Sequence, residues 1–110
     1  MKINQLLSKP EKWTQGAMAR DAKGNPVNCL DVKWYDQGRR SVDLAKHAVA
    51  YSLYGAVSHC YEPDDHENVM NKIHNALETV MGADRVIAEF NDHEWTTFED
   101  VKAVLKEAGV

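Results

Sequence analysis

Apolar residues in the second half of the chain recur at the spacing of an amphipathic helix. Between residues 64 and 81 they lie three or four positions apart, so that one side of a helix would be apolar. Pro63 suits the first helical position, and Gly82 suits the position just after the last turn. Asp64 and Asp65 would lie at the positive end of the helix dipole. The pattern therefore predicts a helix over residues 64–81.

A second amphipathic segment closes the chain at residues 97–108. Thr96 with Glu99, or Thr97 with Asp100, has the spacing of a capping box, in which two residues three apart satisfy each other's backbone N–H groups. Apolar residues then follow on one side at helical spacing. These features predict a helix over residues 97–108.

The longest stretch of apolar and small residues, 41–60, predicts a central helix. Ser41 suits the N-cap, and Asp43 would lie in the first turn, where a negative charge is favourable. Because apolar residues fall on most sides of this segment, we expect the helix to be buried on more than one side. Gly55 would cost about 1 kcal/mol relative to alanine, which is tolerable where another backbone crosses closely.

Residues 16–32 predict a small β-hairpin, because the turn-forming stretch "DAKGNP" separates two short runs, 16–20 and 27–32. An ordered loop is the alternative, since Ala17 and Ala19 are poor strand formers. Taken together, the elements predict a mainly α fold. It would be a helical bundle of three main helices plus short ones, with the hairpin or loop laid over one side.

Length and composition favour one soluble domain spanning residues 1–110. No apolar run reaches the roughly 18 residues of a membrane helix, and the first residues do not resemble a secretion signal. We therefore expect a cytoplasmic protein without a membrane partner. The two cysteines, Cys29 and Cys60, are then expected to be reduced thiols.

The charge is unevenly distributed along the chain, whose net charge is −4. Residues 1–60 contain nine basic and five acidic residues, whereas residues 61–110 contain four basic and twelve acidic residues. Nucleic-acid binding needs a concentrated basic surface, which the dilute excess of the first half does not provide. The sequence therefore argues against a nucleic-acid partner. Attraction between the two halves within the fold and a functional acidic face both remain open.

The stretch "HCYEPDDHENVM", residues 59–70, contains the residue types of metal sites and acid–base catalysts. His59 and Cys60 would point about 100° apart at the end of one helix, and the acidic residues suit the start of the next. Met70 stands where the zinc-protease pattern His-Glu-x-x-His needs its second histidine. We interpret the stretch as a boundary between helices and predict no metal site, cofactor or catalytic residue.

Two polar stretches outside the predicted helices, residues 13–21 and 90–97, combine aromatic and hydrogen-bonding side chains. Loops of this composition often bind ligands. The simpler alternative is that Trp13 and Trp95 fix the loops to the core while the Asn-Asp pair caps a helix end. The candidate ligand-binding residues are Trp13, Gln15, Arg20, Asp21, Asn91, Asp92 and His93.

Short motifs follow one another along most of the chain. They are Trp13, Gly16, Ala19, Asp21 and Gly24; "YSLYGAV" at 51–57; and Phe90, Asn91, Asp92, Thr97 and Val101. With these motifs in this order, the chain resembles an uncharacterised group of small actinobacterial and bacteriophage proteins that carry a domain of unknown function. The group has Trp-Cys where this chain has Tyr51-Ser52. The resemblance implies a compact helical fold and an origin in a phage or mobile element, but no activity.

The leading hypothesis is a small, non-enzymatic binding or accessory protein that acts on a host protein or associates with itself. The alternative is a protein that binds a small molecule or nucleotide-derived ligand, or a weak hydrolase, with a pocket between residues 13–21 and 90–95. A pocket lined by Trp13, Arg20, Asn91 and His93 would favour the alternative. A flat acidic surface or an extensive two-fold interface would favour the first hypothesis.

Overall fold

Helices pack beside a small sheet in the computed structural model, which describes residues 1–27, 47–82 and 85–110. The helices are α1 (Ile3–Leu6), α2 (Leu53–Cys60), α3 (Pro63–Met81), α4 (Ile87–Asp92) and α5 (Phe98–Ala108), and Pro10–Lys12 forms a single 3-10 turn. The strands are β1 (Ala19–Asp21), β2 (Pro26–Val27) and β3 (Ala48–Tyr51). Most of the described residues outside the sheet and its turns are helical, which agrees with the predicted mainly α fold.

The two predicted amphipathic helices are confirmed as α3 and α5. Pro63 occupies the first turn of α3, and Gly82 ends it in the left-handed conformation, with φ 68°. Thr97 and Asp100 form the capping box that begins α5. The two helices pack against each other, and their apolar sides enter one core. Buried residues of this pair include Ile73, Leu77, Val101, Val104 and Leu105.

The hairpin is confirmed within residues 19–27. Strand β1 pairs antiparallel with β2, so that Ala19 faces Val27. Asp21 stabilises the turn because its Oδ1 accepts hydrogen bonds from the backbone N–H groups of Lys23 and Asn25, each at 2.9 Å. The predicted continuation of the second strand, residues 28–32, lies outside the described residues.

The prediction of a single central helix over residues 41–60 is wrong between residues 48 and 52. There the chain forms strand β3, which pairs antiparallel with β1 and gives the sheet order β2-β1-β3. Ser52 then caps α2 by accepting a hydrogen bond from the N–H of Gly55. A short apolar run such as Ala48–Tyr51 fits a strand or a buried helix equally well, and pairing with β1 selected the strand. The first part of the predicted helix, residues 41–46, lies outside the described residues.

The predicted close approach of a second backbone at Gly55 is confirmed. A Cβ atom added to this residue would overlap the carbonyl oxygen of Met18. That oxygen also accepts hydrogen bonds from the backbone N–H and the Oγ of Ser52, at 2.8 and 3.0 Å. The absence of a side chain at Gly55 therefore lets α2 start directly against the segment that leads into β1.

The N-terminal residues join the same core. Ile3 and Leu7 are fully buried, and the N–H of Asn4 donates to the carbonyl of Val110 at 3.3 Å. Lys102 of α5 also donates to the carbonyl oxygen of Asn4, at 2.9 Å. The two ends of the chain are therefore adjacent. Of the helices described, none has both the length and the apolar character to cross a membrane.

Candidate functional site

Asn91, at the end of α4, joins three separate parts of the chain. Its Oδ1 accepts hydrogen bonds from Trp13 Nε1 at 2.8 Å and from the backbone N–H of Leu53 at 3.0 Å. Its Nδ2 donates to the carbonyl of Thr14 at 3.1 Å and to Oδ1 of Asp92 at 2.8 Å. These four bonds use the two donors and two lone pairs of the amide. Asn91 is only 2% exposed, and its side chain is fully committed to structural contacts.

Gln15 and Gly16 extend this set of contacts to the residues around Asn91. Gln15 Nε2 donates to the carbonyls of Asn91 and His93, both at 2.9 Å. The N–H of Gly16 donates to Oδ1 of Asp92 at 3.0 Å. We call residues 13–20, 52–55 and 91–93, joined by these bonds, the polar junction. The two polar stretches singled out in the sequence therefore meet in the fold.

Arg20 supports the polar junction from the sheet side. Its Nε donates to Thr14 Oγ1 at 2.9 Å, Nη2 to the carbonyl of Gln15 at 3.1 Å and Nη1 to the carbonyl of Gly24 at 3.0 Å. The guanidinium thus ties residues 14–15 to the hairpin turn. Asp21, the neighbouring candidate, uses its carboxylate within that turn.

The alternative prediction, that Trp13 and Trp95 fix their loops to the core, is correct for Trp13 and wrong for Trp95. Trp13 packs against the core and lies 6.5 Å, centroid to centroid, from Phe98. Trp95 is 79% exposed, so it does not fix its loop to the core. Its ring centroid lies 5.5 Å from that of His93 in a T-shaped arrangement, and its backbone N–H donates to His93 Nδ1 at 3.1 Å. His93 therefore organises the loop around Trp95.

The expected capping by the Asn-Asp pair takes an unexpected form. Asn91 does cap a helix, but its Oδ1 accepts from Leu53, the first residue of α2, and not from its own helix. The sequence gives no local signal for this bond, because the two residues are 38 positions apart. This hydrogen bond joins the start of α2 to the end of α4, in addition to their packing in the core.

A pocket of about 260 Å³ opens beside the polar junction. It lies between the segment before β1, the start of α2 and one side of α4. Tyr54, part of its lining, is 48% exposed, so the pocket is continuous with an exposed aromatic surface. The lining residues are Gly16, Ala17, Met18, Ser52, Tyr54, Ile87, Ala88, Asn91 and Asp92.

The pocket overlaps only in part with the predicted site. Asn91 and Asp92 are the two predicted residues in its lining. The segments on either side of it are the expected ones, but α2 contributes a third wall that the sequence did not indicate. Ser52 and Tyr54 were missed because they fell inside the predicted central helix. The predicted residues outside the lining are Trp13, Gln15, Arg20, Asp21 and His93.

The family comparison supports the sequence resemblance over almost the whole chain. Residues 2–109 match the profile of DUF6197, described as a family of unknown function. The chain belongs to the DUF6197 family. The predicted membership of an uncharacterised domain family is therefore confirmed. No curated protein and no solved structure matches the chain.

In this DUF6197 member, the stretch 59–70 is a helix boundary, as predicted. Helix α2 ends at Cys60 and α3 begins at Pro63. The His59 ring lies 4.9 Å from the ring of Tyr51, and His66 Nε2 lies 2.8 Å from the carbonyl oxygen of Tyr61. Within the described ranges, no three His, Cys, Asp or Glu residues are grouped so that they could hold a metal ion.

Cys60 is a free thiol that packs at the edge of the core. Burial raises the pKa of the thiol above its ordinary value. The pKa of the adjacent Tyr61 is raised as well, by burial first and by the charge of the Cys60 thiolate second. Both groups therefore favour their neutral forms, and a neutral thiol is a poor nucleophile. Cys29 lies outside the described residues.

Proposed function

We propose that the protein is a non-enzymatic binding protein that accepts one side chain of a partner protein in the pocket beside the polar junction. The pocket is the observation that supports this function. Its volume of about 260 Å³ is close to the lower end of the range of roughly 300 to 1,000 Å³ that is typical of small-molecule pockets. Protein interfaces typically gain most of their affinity from a few large side chains that enter such pockets.

The surroundings of the pocket support the same function. Tyr54 is half exposed at the pocket and offers an aromatic contact surface to a partner. Asn91 and Gly16 are held by hydrogen bonds of the polar junction, so two walls are fixed before a partner arrives. A preorganised pocket binds more tightly because less conformational entropy is lost on binding.

The biological setting is part of the proposal. The resemblance to small actinobacterial and bacteriophage proteins supports an accessory protein from a phage or mobile element. The partner would then be a protein of the host cytoplasm.

Filling the pocket tests the proposed function. Ala88 lines the pocket from an exposed position on α4, so Ala88→Leu would fill the space and preserve helix propensity. Ala103 is an exposed alanine on α5 outside the pocket lining, which makes Ala103→Leu a matched control. The wild-type protein and both variants would be immobilised and exposed to host lysate, and bound proteins quantified by mass spectrometry.

We expect one host protein to be captured by wild type and by Ala103→Leu in similar amounts. The amount captured by Ala88→Leu should be lower by roughly tenfold or more, as for the loss of a central contact. Equal retention of every captured protein by all three would contradict the pocket as the binding site. Thermal melting of each variant would verify that the comparison is made on folded proteins.

A small-molecule or nucleotide-derived ligand is the second candidate. The position of the pocket favours it, because residues 16–18 and 87–92 both contribute to the lining. Of the four residues expected to line such a site, however, only Asn91 does so. A compound that raises the melting temperature of wild type and Ala103→Leu, but not of Ala88→Leu, would establish this function instead of the first.

A further inference from the structure

We infer that the side chain received by the pocket is an arginine of the partner protein. The inference rests on the proposed function and specifies the chemistry of the partner. Among the lining residues that the structure describes, Asp92 is the one whose side chain is charged at neutral pH, and none is basic. A cation entering the pocket would therefore meet a carboxylate and no repelling charge from these residues.

The Asp92 carboxylate is oriented by the polar junction. Its Oδ1 accepts from the N–H of Gly16 at 3.0 Å and from Asn91 Nδ2 at 2.8 Å. Within the part of the chain that the structure describes, Oδ2 accepts no hydrogen bond. Asp92 is exposed, so this second oxygen is accessible to a donor from outside. Bonds from a cationic donor to a carboxylate are stronger than bonds between neutral groups.

The other walls suit the long aliphatic part of an arginine side chain. Ala17, Met18, Ile87 and Ala88 supply apolar surface for its methylene groups. Tyr54 supplies an aromatic ring, on which a guanidinium stacks more favourably than an ammonium. Arginine is also enriched among the residues that dominate protein interfaces. The combination of carboxylate, ring and apolar walls therefore favours arginine over lysine and over an uncharged anchor.

The surrounding charges support a basic partner. Glu89, on the same short helix as Asp92, is exposed and adds a second negative charge on α4. Arg20, the basic residue of the polar junction, keeps its positive charge, but its three guanidinium nitrogens donate to neutral oxygen atoms of Thr14, Gln15 and Gly24, so none of these contacts uses the Asp92 carboxylate. The whole chain carries a net charge of −4. Opposite charges steer a partner toward the surface and increase the rate of association.

The experiment compares two probes that differ in charge and have nearly the same shape. N-acetyl-arginine methylamide carries the guanidinium, and N-acetyl-citrulline methylamide replaces it with a neutral urea group of equal length. Each would be titrated into the isotope-labelled protein while nuclear magnetic resonance follows the signals of Gly16, Ala88 and the Asn91 side chain. These groups report directly on the pocket.

We expect both probes to shift the pocket signals and the arginine probe to bind roughly tenfold more tightly, as for one charge-assisted hydrogen bond. Asp92→Asn should abolish that difference without loss of citrulline binding, because the amide oxygen can still accept from Gly16 and Asn91. Glu89→Gln, which removes the same charge from a residue outside the lining, should largely preserve the difference.

The possible outcomes distinguish a failure of the arginine inference from a failure of the proposed function. Equal binding of the two probes at the pocket, or a preference for arginine that survives Asp92→Asn, would overturn the arginine inference and leave the proposed function standing. Absence of pocket shifts with either probe, up to the limit of its solubility, would count against both.

Discussion

The helix pair α3–α5 and the polar junction are ordered by different kinds of interaction. In the helix pair, each element carries its own boundary signals, such as the Thr97–Asp100 capping box and the left-handed Gly82. In the polar junction, order depends on bonds between distant residues: Trp13 and Asn91 are 78 positions apart. One region is therefore specified locally, and the other only when the whole chain has folded.

The difference matters for function because the pocket borders the second region. Loops that carry binding residues need support from a rigid scaffold. Here Asn91 supplies that support by fixing the segment before β1, the start of α2 and the end of α4 at one point. Changes in the polar junction should therefore alter the pocket, whereas changes at the ends of α3 or α5 should alter stability alone.

The largest effect is expected from Gly55→Ala. The added methyl group would overlap the Met18 carbonyl oxygen, which is backbone and already holds Ser52. Either α2 or the segment before β1 must move, and we expect the free energy of unfolding to fall by about 3 kcal/mol or more. Urea denaturation followed by circular dichroism would measure the change.

Gly82→Ala is the matched control in the locally ordered region. Gly82 has φ 68°, and among the residues that the structure describes, leaving aside its chain neighbours and its own helix backbone, no atom lies within 4 Å of a Cβ added there. Only the left-handed conformation then opposes the substitution, at about 1 kcal/mol. If Gly55→Ala were no more destabilising than Gly82→Ala, the close backbone approach would not be a constraint on the fold.

The next largest effect is expected from Asn91→Ala. Loss of the amide leaves Trp13 Nε1, the N–H of Leu53 and the carbonyl of Thr14 without this partner. Unsatisfied buried groups are costly, so we expect a loss of about 2 to 3 kcal/mol in the free energy of unfolding. Hydrogen exchange should also become faster at the Leu53 and Gly16 amides, which would show that the polar junction has loosened.

Asn75→Ala provides the comparison for that experiment. Asn75 lies on the exposed side of α3, and its backbone carbonyl, which survives the substitution, accepts from Thr79. A change within about 0.5 kcal/mol is expected. Similar losses for Asn75→Ala and Asn91→Ala would mean that the buried amide has no special role.

The sequence predicted the fold where the signals are local. Helices 64–81 and 97–108 were placed within one residue of their true starts, because proline, capping and periodic apolar residues act within a few positions. The segment 48–52 was misassigned, because a short apolar run does not distinguish a strand from a buried helix. Its strand conformation depends on pairing with β1, about 30 residues earlier in the chain.

For the polar junction, the sequence indicated which two stretches are rich in polar and aromatic residues, but not the hydrogen bonds that join them. The two stretches 13–21 and 90–97 were singled out by their polar and aromatic residues. Five of the seven chosen side chains take part in one connected set of contacts, namely those of Trp13, Gln15, Arg20, Asn91 and Asp92. The part played by the start of α2 could not be foreseen. The sequence around Leu53 does not indicate that Asn91 accepts its N–H, and the sequence around Tyr54 does not indicate that its side chain is half exposed.

The smallest effect is expected at the N-terminus of α5, where the order is local. Thr97 Oγ1 accepts from the N–H of Asp100, so Thr97→Ala should reduce the free energy of unfolding by about 1 kcal/mol. Thr97→Ser keeps the acceptor and should have almost no effect. Neither variant should change exchange at Leu53 or Gly16, because the hydrogen bonds of the capping box join Thr97 and Asp100 to each other and involve neither residue. Faster exchange there would show that the helix pair and the polar junction are coupled and that the division between them is wrong.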